Sequence, residues 1–248
     1  MTWTNATSTD SGVLRPEQLA RLTRLERYAA EGALAGYVEN LWSLRWDLPH
    51  GTHHPSQTLP HPACTVSVER GATRAGVGGD PVVVTGVVTR RFDVDLTGHG
   101  WVFAAKFRPG GLAALTGGHA VRWRDRTLPA REVLPAGVVA TLAELGPDVP
   151  DDECRAVLGV ALAQVVPEQP DAAYDLVLRV VGDMLADRSL LSVAEVEERH
   201  GLGTRRLQRL FARYVGATPK WVLARYRMHD AVAALDAGYD GSLADLAA

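Results

Sequence analysis

The apolar residues of this 248-residue chain change their spacing part-way along. Before about Leu134 they alternate or run in short blocks between clusters of glycine and proline. After it they recur every three or four residues. The first rhythm suits strands and the second suits helices. The expected fold class is therefore α+β: a β-rich N-terminal half, built as a small sandwich or barrel, followed by an all-α C-terminal part. Residues 37–46, 64–68, 82–96 (one long strand or two short ones) and 101–107 read as strands. Residues 50–62, rich in Pro, His and Thr, read as a loop. One early stretch departs from the rule. Residues 15–31 carry Leu19, Leu22, Leu25 and Tyr28 at intervals of three, with Pro16 in the first turn, and read as a helix. Trp42, Trp46, Trp101 and Phe103 are expected to fill the interior of the β-rich half. Further on, residues 138–145, 151–166 and 171–187 read as helices separated by prolines. Asp151 and Asp171 stand where a carboxylate meets the free N–H groups of a helix start.

Hydrophobic residues make up 46% of the chain and charged residues 22%, an ordinary globular balance that argues against wholesale disorder. No apolar run approaches the roughly 20 residues of a membrane span. Residues 1–12 are polar, without the apolar core of a secretory signal. The two cysteines, Cys64 and Cys154, have no metal-site or disulfide-framework spacing around them. The expected compartment is the cytoplasm, with no membrane partner and no cofactor.

The net charge of −3 hides a strong asymmetry. Between Arg199 and His229 there are eight Lys/Arg and no Asp or Glu, which leaves 18 basic against 29 acidic residues elsewhere. An acidic body carrying one wholly basic segment points to a polyanion as partner. The same segment has a recognisable local order. Ser192, followed three residues later by Glu195, forms a capping box that opens a short helix ending near His200. Gly201-Leu-Gly203 is a tight turn, and residues 204–214 form a second helix. Two short helices joined by a glycine-bearing turn are the helix-turn-helix signature.

At about 100° per residue, Leu207, Leu210, Phe211 and Tyr214 share one face of the second helix. Arg205, Gln208, Arg209 and the small Ala212 share the opposite face, flanked by Arg206 and Arg213. Arginine can donate two bonds to guanine O6 and N7, and glutamine can pair with adenine N6 and N7. Arg205, Gln208 and Arg209 are therefore the candidate base readers. Thr218-Pro219-Lys220 opens a further helix, with Thr218 as cap and Pro219 at its first position. Thr204, Arg206, Arg213, Thr218 and Lys220 are the candidate phosphate contacts. Trp221, Leu223 and Tyr226 read as core.

These residues resemble the first helix-turn-helix of the AraC/XylS-type transcription regulators. The likeness covers residues 191–235, from the Gly201–Phe211 run to Gly216-Ala-Thr-Pro-Lys-Trp-Val-Leu-Ala-Arg-Tyr-Arg-Met228. It implies that Arg205, Gln208 and Arg209 occupy base-reading positions. A fainter likeness joins residues 37–48 and Lys106-Phe-Arg-Pro-Gly-Gly-Leu112, followed by Gly117, to the N-terminal domains of such regulators. It implies an effector-sensing or subunit-joining role. Gly203 stands where the family usually has a capping serine, and Thr204 is expected to take over the cap. Residues 238–248 read as the opening of a second helix-turn-helix unit, with Ser242 as cap and no second recognition helix. A lone unit would bury only roughly 600–1,000 Å2 on DNA.

The expected organisation is a disordered tail (1–14), a β-rich regulatory domain (15–134), a helical connector (135–188) and a helix-turn-helix domain (189–248). The expected function is sequence-specific DNA binding in transcription regulation, without enzymatic activity. The expected partners are double-stranded DNA, a small-molecule effector and a second copy of the chain. Two alternatives stand beside it. A cupin-like metal site in the β-rich half, as an enzyme or a sensor, would draw on His50, His53, His54, His61 and Glu69. A regulator that binds protein and has lost DNA binding is the other.

Overall fold

The computed structural model describes residues 13–71, 77 and 79–242. Its strands are β1 (Val13–Leu14), β2 (Thr23–Ala29), β3 (Val38–Asp47), β4 (His53–Thr58), β5 (Thr65–Arg70), β6 (Val82–Thr85), β7 (Phe92–Thr97), β8 (His99–Phe107) and β9 (Thr127–Pro129). Its helices are α1 (Pro16–Leu22), α2 (Gly111–Thr116), α3 (Ala136–Ala143), α4 (Asp151–Ala163), α5 (Ala172–Ala186), α6 (Val193–His200), α7 (Thr204–Leu210) and α8 (Pro219–Asp236).

Strand β8 explains the plan of the first half. Successive side chains leave a strand on opposite faces, and both faces of β8 are buried. Trp101, Phe103, Ala105 and Phe107 join one apolar cluster, while Val102 and Ala104 join another. A strand covered on both sides reads as a near-continuous apolar run. Around it lies an antiparallel sheet in the order β2-β3-β8-β5-β6-β9. A smaller antiparallel sheet, β1-β4-β7, covers one face of the larger one. Between the sheets, Leu96 of β7 packs with Trp46, Leu48, Val102 and Ala104. The expected small sandwich followed by a helical region is the architecture found.

The helices cover the other face of the large sheet. One apolar cluster runs without interruption from Val66 and Phe103 in the sheet, through Leu112 and Leu158, to Leu207, Phe211 and Tyr226. Polar fasteners cross the same boundary. Asp151, at the first turn of α4, accepts bonds from Tyr28 Oη (2.7 Å), Ser43 Oγ (2.5 Å) and Arg45 (2.7 Å). Burial alone would raise its carboxyl, but these bonds outweigh it and hold the group below the usual carboxylate range. Asp171 caps α5 as expected, accepting from Ala173 N and Tyr174 N. Asp151 does not cap; Pro150 holds that position in α4. Cys64 and Cys154 are buried free thiols.

Three local expectations are corrected. The helix expected over 15–31 ends at Leu22, and Thr23–Ala29 instead pairs with β3 from Thr23↔Trp46 to Ala29↔Asn40. Spacing by three sends Leu25 and Tyr28 to opposite faces of a strand. Both faces are useful here: Leu25 lines the space between the sheets, and Tyr28 stacks near Phe103 on the helical side. The strand's hydrogen bonds to β3 then outweigh a weak helical preference. Second, residues 53–58 are strand β4 rather than loop, paired with β7 from His53↔Thr97 to Thr58↔Phe92. Pro55 is tolerated because β1 pairs only with Gln57 and Thr58, so that stretch of β4 is an edge. Third, Val13 and Leu14, assigned to a disordered tail, form β1. The remainder of that expected tail, residues 1–12, lies outside the described residues, as do residues 243–248 of the expected second unit.

Candidate nucleic-acid interface

The capping box at the start of α6 is present as expected. Ser192 Oγ accepts from Glu195 N, and the Glu195 carboxylate accepts from the N–H groups of Ser192 and Leu191, both at 2.8 Å. These backbone bonds, that from Ser192 first, keep the Glu195 carboxyl below its ordinary value. Gly201 ends the helix at φ 59°, ψ 36°, a left-handed conformation that favours glycine. Leu202 turns into the core, and Gly203 provides the N-cap of α7.

Thr204 does not take over that cap. Its hydroxyl donates to Glu197 Oε2 at 3.0 Å, which ties the first residue of α7 back to α6. Beyond Leu210 the helix widens into one π turn, Phe211–Val215, closed by Gly216 at φ 83° with its N–H on Phe211 O. The apolar face is as expected: Leu207 and Phe211 are wholly buried, Tyr214 nearly so, and Leu210 is half-buried. On the other side Arg205, Arg206, Gln208, Arg209 and Arg213 are exposed, and Ala212 is half-buried among them.

The eight cations of the acid-free segment separate into two groups. Three are used within the fold. Arg199 pairs with Asp187 at 2.5 Å. Arg227 donates to the carbonyls of Asp187 (2.7 Å) and Leu190 (2.9 Å) and pairs with Asp230. Arg225 lies over the Trp221 ring at 4.9 Å and donates to Thr89 O. The other five, Arg205, Arg206, Arg209, Arg213 and Lys220, are exposed and form no ion pair among the described residues. Arg213 lies over the Tyr214 ring at 5.0 Å. Lys220 sits in the first turn of α8, where Thr218 Oγ1 accepts from Trp221 N (3.2 Å) and Pro219 follows the cap.

The unit is docked on the body through its apolar side. Tyr214 Oη donates to Asp171 Oδ2 at 2.6 Å, and Gly216 lies against the backbone of Ala120. Trp221 Nε1 points to Thr89 O, and His229 stacks on His61 with ring centroids 4.3 Å apart. Leu223 and Tyr226 are buried as expected, while Trp221 is only half-buried. The basic face points away from these contacts.

The β-rich half has a site-like feature of its own. A cavity of about 250 Å3 lies between the two sheets. Trp42 and Trp46 line it, whereas Trp101 and Phe103 belong to the core beneath the helices. The polar side chains Arg27, Asn40 and Lys106 also face it. None of these three was expected as a functional residue. The available signal was a lysine at position 106 inside an otherwise apolar strand. The histidines proposed for a metal site do not converge: His53 pairs with Asp95 at 2.8 Å on the outer sheet, and His61 stacks on α8. Among the described residues no three His, Cys, Asp or Glu side chains form a group able to hold a metal ion. Among them, too, no helix is long and apolar enough to cross a membrane.

Residues 26–129, which span most of the β-rich half, match a family model described as a domain of unknown function, DUF6597. No curated protein matches the chain. A solved structure similar to the chain is the crystal structure of the AraC-like transcriptional activator CuxR. It is 14% identical, with 88% of this chain and 89% of that chain covered and a TM-score of 0.25. A score of that size does not superpose the two as one fold.

Proposed function

We propose that this chain is a sequence-specific DNA-binding transcriptional regulator. The observation that carries the reading is the division of the basic segment. The fold consumes three of its cations and leaves five exposed around one short helix, with no acid within ion-pair reach among the described residues. Ordinary surface helices mix charge signs; this one does not. The resemblance of residues 191–235 to AraC/XylS-type helix-turn-helix units supports the same assignment. In this reading α7 enters the major groove, and Arg205, Gln208 and Arg209 contact base edges. Arg206, Arg213 and Lys220 hold phosphates, helped by Thr218 at the start of α8 and by the backbone of Thr204. The β-rich half regulates binding by taking up a small-molecule effector, and a second copy of the chain supplies the other half-site.

The test is selection of bound duplexes from a random DNA library, followed by binding curves on the enriched site. Arg209→Ala should erase preference at one base pair, a loss of about 1–3 kcal/mol there. Lys220→Ala should weaken every sequence about equally and flatten the slope of log K against log salt by about one unit. Parent-like binding by both variants would refute the assignment.

A further inference from the structure

The cavity between the sheets is graded from one end to the other. Antiparallel pairing puts residues in rows across the large sheet. Leu44 of β3 lies beside Leu25 and Val102, and this end adjoins Leu19 and Leu96. Two rows further along, Asn40 lies beside Lys106, which in turn faces Thr65. One end is therefore apolar and the other bears an amide, an ammonium and a hydroxyl.

The polar end has two unusual features. Asn40 is only 6% exposed, yet neither Oδ1 nor Nδ2 of its amide has a hydrogen-bond partner among the described residues. A buried amide without partners is destabilising, so native folds rarely leave one empty-handed. Lys106 is bonded to the buried Glu39 at 3.2 Å, but Glu39 does not line the cavity, whereas Lys106 and Arg27 do. A molecule in the cavity meets the Lys106 ammonium and an open amide at one end, Arg27 in the Trp42 row next to it, and leucine and tryptophan at the other end.

We propose that this cavity binds a small amphipathic anion, a carboxylate on an aryl or branched alkyl body. Its charged end lies at Asn40 and Lys106, and its apolar body lies against Leu44, Trp46 and Val102. The volume of about 250 Å3 falls below the roughly 300–1,000 Å3 of drug-sized pockets, so one or two rings are the limit. The place of the polar end gives it a consequence. Pro60 and His61 line the same cavity, and His229 of α8 donates from Nε2 to Pro60 O at 3.0 Å and stacks on His61. The site serves as the effector site of the regulator proposed above and rests on that reading for its purpose. Its test uses no DNA, so the two readings fail separately.

Three probes share one ring system and differ in charge: 1-naphthoate, 1-naphthalenemethanol and 1-naphthylmethylammonium. Binding to the full chain is measured by calorimetry and by quenching of tryptophan fluorescence, to which Trp42 and Trp46 contribute. A charge-assisted bond in a buried site should make the carboxylate at least about tenfold tighter than the alcohol, with the ammonium weakest. Lys106→Met combined with Glu39→Gln removes the buried pair together and should bring acid and alcohol within about threefold of each other. Asn40→Asp changes one atom group, keeps the shape, and should also abolish the acid preference. Equal binding of all three probes by the parent chain, or no saturable binding, overturns the proposal without any variant. An acid preference that survives in a folded Asn40→Asp or double variant overturns it as well.

Discussion

Gly216 joins the candidate DNA-reading unit to the body, and replacing it by alanine measures that junction. The residue closes the π turn after α7 at φ 83°. A Cβ there would come within 2.8 Å of Ala120 O and 3.0 Å of Ala120 C, both backbone atoms that cannot rotate away. Two costs then act together. Holding an L-residue in the left-handed region costs about 1–2 kcal/mol. Pressing it into fixed backbone adds about 1–3 kcal/mol, the range for overpacking. Gly201→Ala separates the two: this glycine has φ 59°, and nothing lies within 4 Å of its would-be Cβ. Gly201→Ala should lose about 1–2 kcal/mol and Gly216→Ala about 2–5 kcal/mol. With an m-value of about 2 kcal/mol/M, the urea midpoint should fall by about 0.5–1 M for the first and about 1–2.5 M for the second. The readout is tryptophan fluorescence against urea, with m compared among the three proteins. Equal losses at the two glycines would refute the claim that the turn after α7 is seated on Ala120.

Three further predictions concern the same region. Phe211→Ala, at a wholly buried position in the shared core, should destabilise the chain by about 3–5 kcal/mol in urea melts. A loss under about 1 kcal/mol would place Phe211 outside a packed core. Thr218→Ala removes the cap of α8 and should cost about 1 kcal/mol, read as a matching fall in the denaturation midpoint. Asp187 is held down to about 2 from an ordinary 3.8 by bonds from Ser189 and by Arg199. Because its folded value lies below its unfolded one, its contribution is complete above about pH 4 and disappears as pH falls toward 2. The stability gap between the parent and Asp187→Asn should close over that window. A gap that stays constant from pH 7 to pH 2 would contradict the role given to Asp187.

Much of the helical half was legible because its signals are local. Ser192 and Glu195 meet within one turn, Thr218 bonds a residue three places on, and Asp171 caps the helix that follows it. The exposed face of α7 follows from helix geometry once its apolar face is known. Strand β2 was not legible. An interval of three between apolar residues fits a helix, and it also fits a strand whose two faces are both buried; the choice depends on pairing with β3, which the spacing within residues 23–29 does not record. The same holds for β4, whose polar sequence becomes a strand only because β7 is beside it. The π turn at 211–215 left no pattern in composition.

Consecutive residues were enough to reveal a helix-turn-helix pair after a β-rich half, with no acid from Arg199 to His229, because caps, turns and one-sided helices are written over short stretches. Which cations remain exposed, and where a charged end lies inside the β-rich half, depended on contacts between segments far apart in sequence. Arg199, Arg225 and Arg227 look like Arg205 and Arg209 in the sequence; they differ because backbone carbonyls and carboxylates of distant segments meet the first three and not the others. Asn40 and Lys106 become one site only through strand pairing, since the free energy of a buried polar group depends on neighbours brought together by the fold.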